Sequence, residues 1–248
     1  MAEWLYGRNP VFETLRAGRR QALALQLAEG LEHTGRLPEI LEFCRSKSVP
    51  LETLPRHELD RHGDPHQGVA VKVGDYPYSD LPDILALAEA RREPPFLLIL
   101  DALQDPQNLG ALLRTAEAFG VHGVLLPLRH AVGVTPAVVA ASSGASEHLL
   151  IARSNLSQAI DALKKDGVWV VGLDAGPGAQ PPSQVRLDGA LALVVGSEGS
   201  GMRRLVRESC DLLMRLPMQG QIESLNAAVA GSIALYLASA ARPAPNPP

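Results

Sequence analysis

The residues able to do chemistry gather in three short stretches of the second half of the chain. The first is Asp105-Pro-Gln-Asn108-Leu-Gly-Ala-Leu-Leu-Arg114, which sets a carboxamide and a guanidinium six positions apart. The second is Gly196-Ser-Glu198-Gly-Ser-Gly201, a carboxylate inside a glycine-rich turn. The third runs from Leu216-Pro-Met218 to Ser224-Leu-Asn226, where a hydroxyl and a carboxamide precede a long small-residue segment. Each puts small or polar residues where an apolar, strand-like run stops. Such places expose backbone N–H and C=O groups, and α/β proteins bind their ligands there. Three of them in this order imply one composite site assembled from distant sequence.

Each stretch taken alone has a plainer reading. Asn108 is able to cap a helix whose N-terminus attracts anions, and Arg114 to be a surface residue. The glycine turn is ordered GxxGxG, not GxGxxG, and no Lys-Ser/Thr follows it, so neither dinucleotide-binding nor P-loop chemistry is indicated. Glu198 has little structural purpose in such a turn beyond capping a helix at Met202. Ser224 suits an N-cap. Asn226 is disfavoured inside a helix, so it has either a polar task or a solvated face.

The chain has 248 residues, 46% hydrophobic, enough for one large domain or two ordinary ones. Its formal net charge of −4 excludes a bulk-basic nucleic-acid binder but not a local patch. Arg8, Arg16, Arg19 and Arg20 form one arginine group, and Arg203, Arg204 and Arg207 another; either is equally well a solvated face. The two cysteines, Cys44 and Cys210, have no zinc-ligand spacing and no disulfide framework, so no metal is expected. With no basic-then-apolar leader, the expected location is intracellular, in the cytoplasm. The longest uncharged run, 224–241, is mostly Ala, Gly and Ser and reads as a buried helix, so no membrane span is expected.

The elements that must position these groups follow from pattern. Asn9-Pro10 reads as a helix start. Leu23, Leu25 and Leu27 alternate as in a half-buried strand, 37–43 has helical spacing, and 69–73 alternates again. Residues 1–74 are thus expected to form a small α/β domain. A linker is placed over 75–93, with a short helix near 84–90. From 94 to 242 strands at 96–100, 124–126, 149–151, 168–173, 191–195 and 212–216 alternate with helices at 108–119, 136–142, 156–165, 202–210 and 224–241. Continuous apolar strands spaced by helices predict a parallel sheet flanked by helices. Residues 243–248, rich in proline, are expected to be a disordered tail.

Together, N-x-G-x-x-x-R, G-x-E-G-x-G-M and P-M-x-G-x-x-x-S-L-N, in order over roughly 96–241, resemble the SpoU (TrmH-type) branch of the SPOUT RNA methyltransferases. Tyr6-Gly-Arg-Asn-Pro-Val11 and His66-Gln-Gly-Val69 resemble the small ribosomal L30e-like RNA-binding domain attached to the bacterial methyltransferases of large-subunit rRNA. The resemblance implies S-adenosylmethionine as donor, an RNA ribose 2′-hydroxyl as acceptor, a homodimer, and a C-terminal trefoil knot, which sequence pattern alone never predicts. It maps Asn108, Arg114, Glu198, Ser224 and Asn226 onto the catalytic positions. Gly196, Gly201, Leu216, Met218 and Leu225, with Leu173, map onto the backbone that cups the cofactor. In place of Asn-Val-Ser-Val-Ala, frequent in relatives, this chain has Asn226-Ala-Ala-Val-Ala230, so no hydroxyl is available at Ala228. A free arginine holds its proton to about pH 12 and above; Arg114 is therefore expected to orient the hydroxyl or adjacent phosphate and stabilise oxyanion charge, with Glu198 orienting it in turn. Arg8, Arg16, Arg19 and Arg20 become expected RNA contacts. Small residues from Ala227 to Ala241 are expected at an isologous dimer interface.

The implied substrate is a guanosine of 23S rRNA in the peptidyl-transferase region. A tRNA guanosine methyltransferase is the alternative within the class. A non-catalytic ribosome-assembly factor is the rival outside it, against which the intact motif residues argue. A nicotinamide-dependent oxidoreductase is disfavoured by the glycine spacing.

Overall fold

The structure, a computed structural model, describes residues 2–222 and 224–242. The chain divides into two compact units, Met1–Pro77 with Val134–His148, and Tyr78–Gly133 with Leu149–Pro248.

The first unit begins with β1 (Glu3–Tyr6), α1 (Arg8–Ala17), β2 (Ala22–Ala28) and α2 (Leu37–Ser46). β3 (Leu51–Leu54), α3 (Arg56–Leu59) and β4 (Val69–Val73) follow. The sheet has the order β1-β4-β2-β3; β4 is antiparallel to both its neighbours, and β2 and β3 are parallel. Leu5, Leu25, Val69 and Val71 point into a core shared with Val11, Phe12 and Ile40, as their alternation requires. α1 starts earlier than expected. Gly7 is its N-cap at φ 93, a backbone angle that favours glycine, and Asn9 lies inside the helix.

The second unit opens with α4 (Leu81–Arg91), β5 (Phe96–Leu100), α5 (Pro106–Ala118) and β6 (Gly123–Pro127). α6 (Pro136–Ala141) then belongs to the first unit. The second unit resumes with β7 (Leu150–Ser154), α7 (Leu156–Lys165), β8 (Trp169–Leu173) and β9 (Leu191–Val195). It closes with α8 (Arg204–Ser209), β10 (Leu212–Met214) and α9 (Ala227–Ala241). Its six strands are all parallel, in the order β10-β8-β9-β5-β6-β7. β5 and β9 are buried along their whole length, as inner strands covered on both faces must be.

These boundaries differ from those expected. Most of the linker placed at 75–93 is α4, held by a capping box between Asp80 and Asp83 and buried through Ile84 in the second unit's core. The segment Val134–His148, expected within 94–242, instead joins the first unit, where His148 Nε2 pairs with Glu13 Oε2 at 2.8 Å. The expected tail, 243–248, lies outside the described residues. Among the described residues no helix is long and apolar enough to cross a membrane.

Candidate active site

All six strands of the second unit end on one edge of the sheet, and a cavity of about 760 Å³ opens there. Its walls are the segments that follow β8 (Leu173 to Gly176), β9 (Val195 to Gly201) and β10 (Met214 to Met218), closed by Ser224, Leu225 and the first turns of α9. The glycine turn makes its wall thin. Ser197 N donates to Gly201 O and Gly201 N to Ser197 O, each at 3.0 Å, so the chain folds straight back on itself. A β-carbon on Gly196 would stand 2.3 Å from Gly201 C and Met202 N, and no side chain fits. Met202 is core rather than cavity, lying with Cys210 against Gly172. Burial there raises the Cys210 thiol to about 12, so it stays protonated and inert.

At the rim three of the expected residues meet. Asn108 Nδ2 donates to Glu198 Oε1 at 2.9 Å, Asn226 Nδ2 donates to the same oxygen, and Asn226 Nδ2 also donates to Asn108 Oδ1 at 3.1 Å. Local structure aims each group. Asp105, not Asn108, caps α5: its carboxylate accepts from Gln107 N and Asn108 N, with Pro106 at the first helical position. That leaves the Asn108 side chain for Glu198. Likewise α9 starts at Ala227, not at Ser224. Asn226 is its N-cap, accepting through Oδ1 from Ala228 N at 2.8 Å and Val229 N at 3.2 Å while Nδ2 holds Glu198. The helix after the glycine turn begins only at Arg204, so Glu198 caps nothing.

Leu173, Gly196, Gly201, Leu216, Met218, Ser224 and Leu225 all line the cavity. Arg114 does not; it is exposed on α5. Sequence reasoning missed two acids that hold the walls, Asp101 and Asp174, and did not read the tasks of Arg203 and Arg207. Asp101, fully buried after β5, accepts from Arg203 N and Nε at 2.7 Å each and pairs with Arg203 Nη2 at 2.6 Å, pinning the end of the glycine loop. Asp174 accepts from Gly176 N at 2.6 Å and from Arg207 Nε at 2.8 Å, fixing the wall after β8. Their only sequence signal was the arginine group itself, which reads equally well as solvated.

The N-terminal arginines divide. The Arg20 side chain is 0% exposed and ion-paired with Glu3 and with Glu147, itself 1% exposed, so it cannot meet a phosphate. Burial pushes the Glu147 carboxyl upward against the opposing pull of Arg20. Arg19 is half-buried and spent on Tyr76 Oη and the carbonyls of Pro77 and Glu147. Arg8 donates to Thr34 O at 2.9 Å. Arg16 alone is largely exposed, beside Glu13. The small residues of α9 also correct an expectation. Ala227, Ala228, Gly231, Ala234 and Ala238 are buried within the chain, and a β-carbon on Gly231 would strike Leu112 of α5 at 2.5 Å.

A parallel α/β unit with a ligand-sized cavity at its carboxyl edge, in a chain that also carries a small mixed α/β unit, defines a two-part α/β class with a small-molecule site, and comparison with known proteins narrows it. Residues 95–236 match the SpoU rRNA Methylase family, and residues 4–79 match the family described as RNA 2′-O ribose methyltransferase substrate binding. A chain named as a TrmH family tRNA/rRNA methyltransferase, YacO of Bacillus subtilis, is 43% identical over 94% of both chains. A tRNA/rRNA methyltransferase of Mycolicibacterium vanbaalenii is 43% identical over 94% of this chain and 74% of its own. In fold, the chain is similar to the SpoU methyltransferase AviRb of Streptomyces viridochromogenes, solved with AdoMet (TM-score 0.80, 24% identity, 96% of this chain and 90% of that one). The chain belongs to the SpoU rRNA methylase family and is an RNA methyltransferase.

Proposed function

We propose that this chain transfers a methyl group from S-adenosylmethionine, held in the cavity at the carboxyl edge of β8, β9 and β10, to a ribose 2′-hydroxyl of RNA. One observation carries the reading: three segments separated by up to 118 residues bring Asn108, Glu198 and Asn226 into one hydrogen-bonded cluster on the rim of that cavity. The cavity suits such a donor. Its volume falls in the range of small-molecule sites. Leu173, Val195, Leu216 and Leu225 offer apolar contact, and Asp174, Ser197 and Arg215 offer polar contact. The absence of a side chain at Gly196 lets the turn close on Gly201 and Met202 and so keeps this wall of the cavity in place. When bound, the sulfonium supplies an electrophilic methyl group.

The residues of the chain do the rest. A ribose hydroxyl is a weak nucleophile while protonated, so it must be placed in line and its charge stabilised. Asn108 and Asn226 fix the Glu198 carboxylate, and the pair of carboxamides leaves its second oxygen for the ribose. Ser224, on the cavity wall, is within the same reading a ribose contact. Arg114 stabilises developing negative charge on the hydroxyl oxygen and the neighbouring phosphate. Because Arg114 is exposed outside its own chain's cavity, the reading is of a homodimer in which one copy's Arg114 serves its partner. An apolar stripe on α9 supports this. Val229, Ile233 and Tyr236 recur at helical spacing yet are 47%, 38% and 58% exposed. Next to Arg114, Thr115 bonds Ser232 of α9 at 3.0 Å, so the arginine flanks that stripe. A two-fold pairing of the stripe is the isologous interface this reading requires. A trefoil knot in the chain leading into α9 belongs to the same reading; the return of the segment after β10 to the β8 and β9 loops supports it.

The substrate we assign is a guanosine of 23S rRNA, on the strength of the small substrate-binding unit; a tRNA guanosine is the alternative. Mapping 2′-O-methylation across rRNA and tRNA, in cells with and without the gene product, tests both. One lost site in 23S rRNA is expected. A lost site in tRNA overturns the target, and loss of none overturns the reading.

A further inference from the structure

The cavity uses only part of the sheet's carboxyl edge. The same edge continues over β6 and β7, where Leu128, Arg129 and Arg153 are exposed beside Tyr78. These groups are built into place. The Arg153 guanidinium lies over the Tyr78 ring, 5.6 Å from its centroid, and Arg153 Nη2 donates to Leu128 O at 2.8 Å. A β-carbon on Gly133 would stand 2.7 Å from Tyr78 Oη, so glycine there leaves room for the hydroxyl end of the ring. Val132 N donates to Leu103 O at 3.0 Å. That bond ties the loop after β6 to the segment between β5 and α5, which runs through Asp105 into the helix that carries Asn108. Arg129 is exposed and makes no ion pair among the described residues.

We propose that Tyr78, Arg129 and Arg153 form a shelf that takes the single-stranded nucleotide next to the methylated one. The shelf rests on the function proposed above. A nucleotide offers a flat π face and an anion. A guanidinium backed by an aromatic ring presents a plane on which a base stacks, and an unpaired arginine beside it meets the phosphate. Neither contact reads base identity, so the shelf gives affinity and register while the choice of target lies elsewhere.

The test measures methyl transfer from tritiated S-adenosylmethionine to unmodified 16S and 23S rRNA transcripts and a tRNA pool. Arg153→Met keeps an unbranched apolar stem and loses plane and charge; Tyr78→Leu removes the ring; Gly133→Ala displaces its hydroxyl end. Each is expected to raise the KM for RNA about tenfold, with kcat, melting temperature and the calorimetric affinity for S-adenosylmethionine unchanged. Arg129→Gln, a fully exposed change that leaves the fold alone, is expected to reduce the slope of log affinity against log salt by about one. Variants with wild-type KM and wild-type salt slope overturn the shelf. So does a parallel loss of melting temperature and cofactor affinity, which marks a structural role. If the wild type methylates no RNA in the panel, the proposed function falls and the shelf with it.

Discussion

Two polar clusters, one in each unit, draw on similar side chains and come to different ends. In the first unit Arg20, Glu3 and Glu147 meet with both the guanidinium and the Glu147 carboxylate sealed from water. In the second, Glu198 is held by the carboxamides of Asn108 and Asn226 at an open rim. The buried cluster sets opposite charges against one another, and its burial, with Arg20 Nε and both Glu147 carboxylate oxygens lacking a hydrogen-bond partner among the described residues, closes it to a ligand. The rim cluster has neutral donors, both on one oxygen, so no cation is paired with the carboxylate there and its second oxygen keeps its hydrogen-bonding capacity. Charge-neutral support for an accessible acid, rather than the presence of charge, separates a reactive group from a structural one here.

The strongest way to break this contrast is at Arg20. Arg20→Ala leaves Glu147 buried without its cation, and such a loss costs about 3–5 kcal/mol. Urea denaturation followed by circular dichroism should register it. A change below about 1 kcal/mol would show that water reaches the pair and that Arg20 had been wrongly removed from the RNA contacts. Glu198→Gln makes the opposite case. The amide keeps the shape but not the charge, so stability should move by less than about 1 kcal/mol. Methyl transfer should drop roughly 100-fold in kcat, the scale of losing one preorganised electrostatic contact. A variant with wild-type turnover removes Glu198 from the chemistry.

Gly196→Ala sharpens the comparison on the cavity side. The new methyl group meets backbone at 2.3 Å and can only force the turn open. Calorimetry should show the affinity for S-adenosylmethionine weakened by about tenfold or more, equivalent to losing about 1.4 kcal/mol of contact. Unchanged affinity would mean that the turn is not a wall of the donor site.

Much of this was legible because spacing and apolar runs are local. β5, β9 and α7 lie where their apolar patterns put them. The same holds for the convergence of Asn108, Glu198 and Asn226, because three motifs in order at strand ends implied one site even though each residue alone had a plainer reading. What could not be read depends on competition between neighbours. Asp105 outcompeted Asn108 for the start of α5, and Gly7 outcompeted Asn9 for the start of α1. Burial was also invisible. Arg16 and Arg20 look alike in sequence, yet one is exposed and the other closes a core ion pair with a residue 127 positions away. Asp101 and Asp174, which anchor two walls through Arg203 and Arg207, gave no motif because each pairing spans a fold the pattern does not encode.

His122 offers the mildest test, a buried polar group that is neither paired charge nor reactive acid. Its Nδ1 accepts from Phe96 N at 3.0 Å, so that nitrogen carries no proton, and Nε2 lies 3.0 Å from Glu93 Oε2. Burial lowers its pKa below the ordinary value, with Glu93 opposing. A histidine whose folded pKa is depressed adds stability that is full above its unfolded value, about 6.5, and that is lost as pH falls through the folded value. The melting temperature of the wild type should therefore be flat above about pH 7 and decline toward pH 5. His122→Asn supplies an oxygen acceptor for Phe96 N that does not titrate. Its profile should be flatter between pH 7 and pH 5 than that of the wild type, even if its plateau is lower. Parallel profiles would mean that the acid sensitivity comes from other groups, and that the imidazole is protonated in the folded chain at no cost to the start of β5.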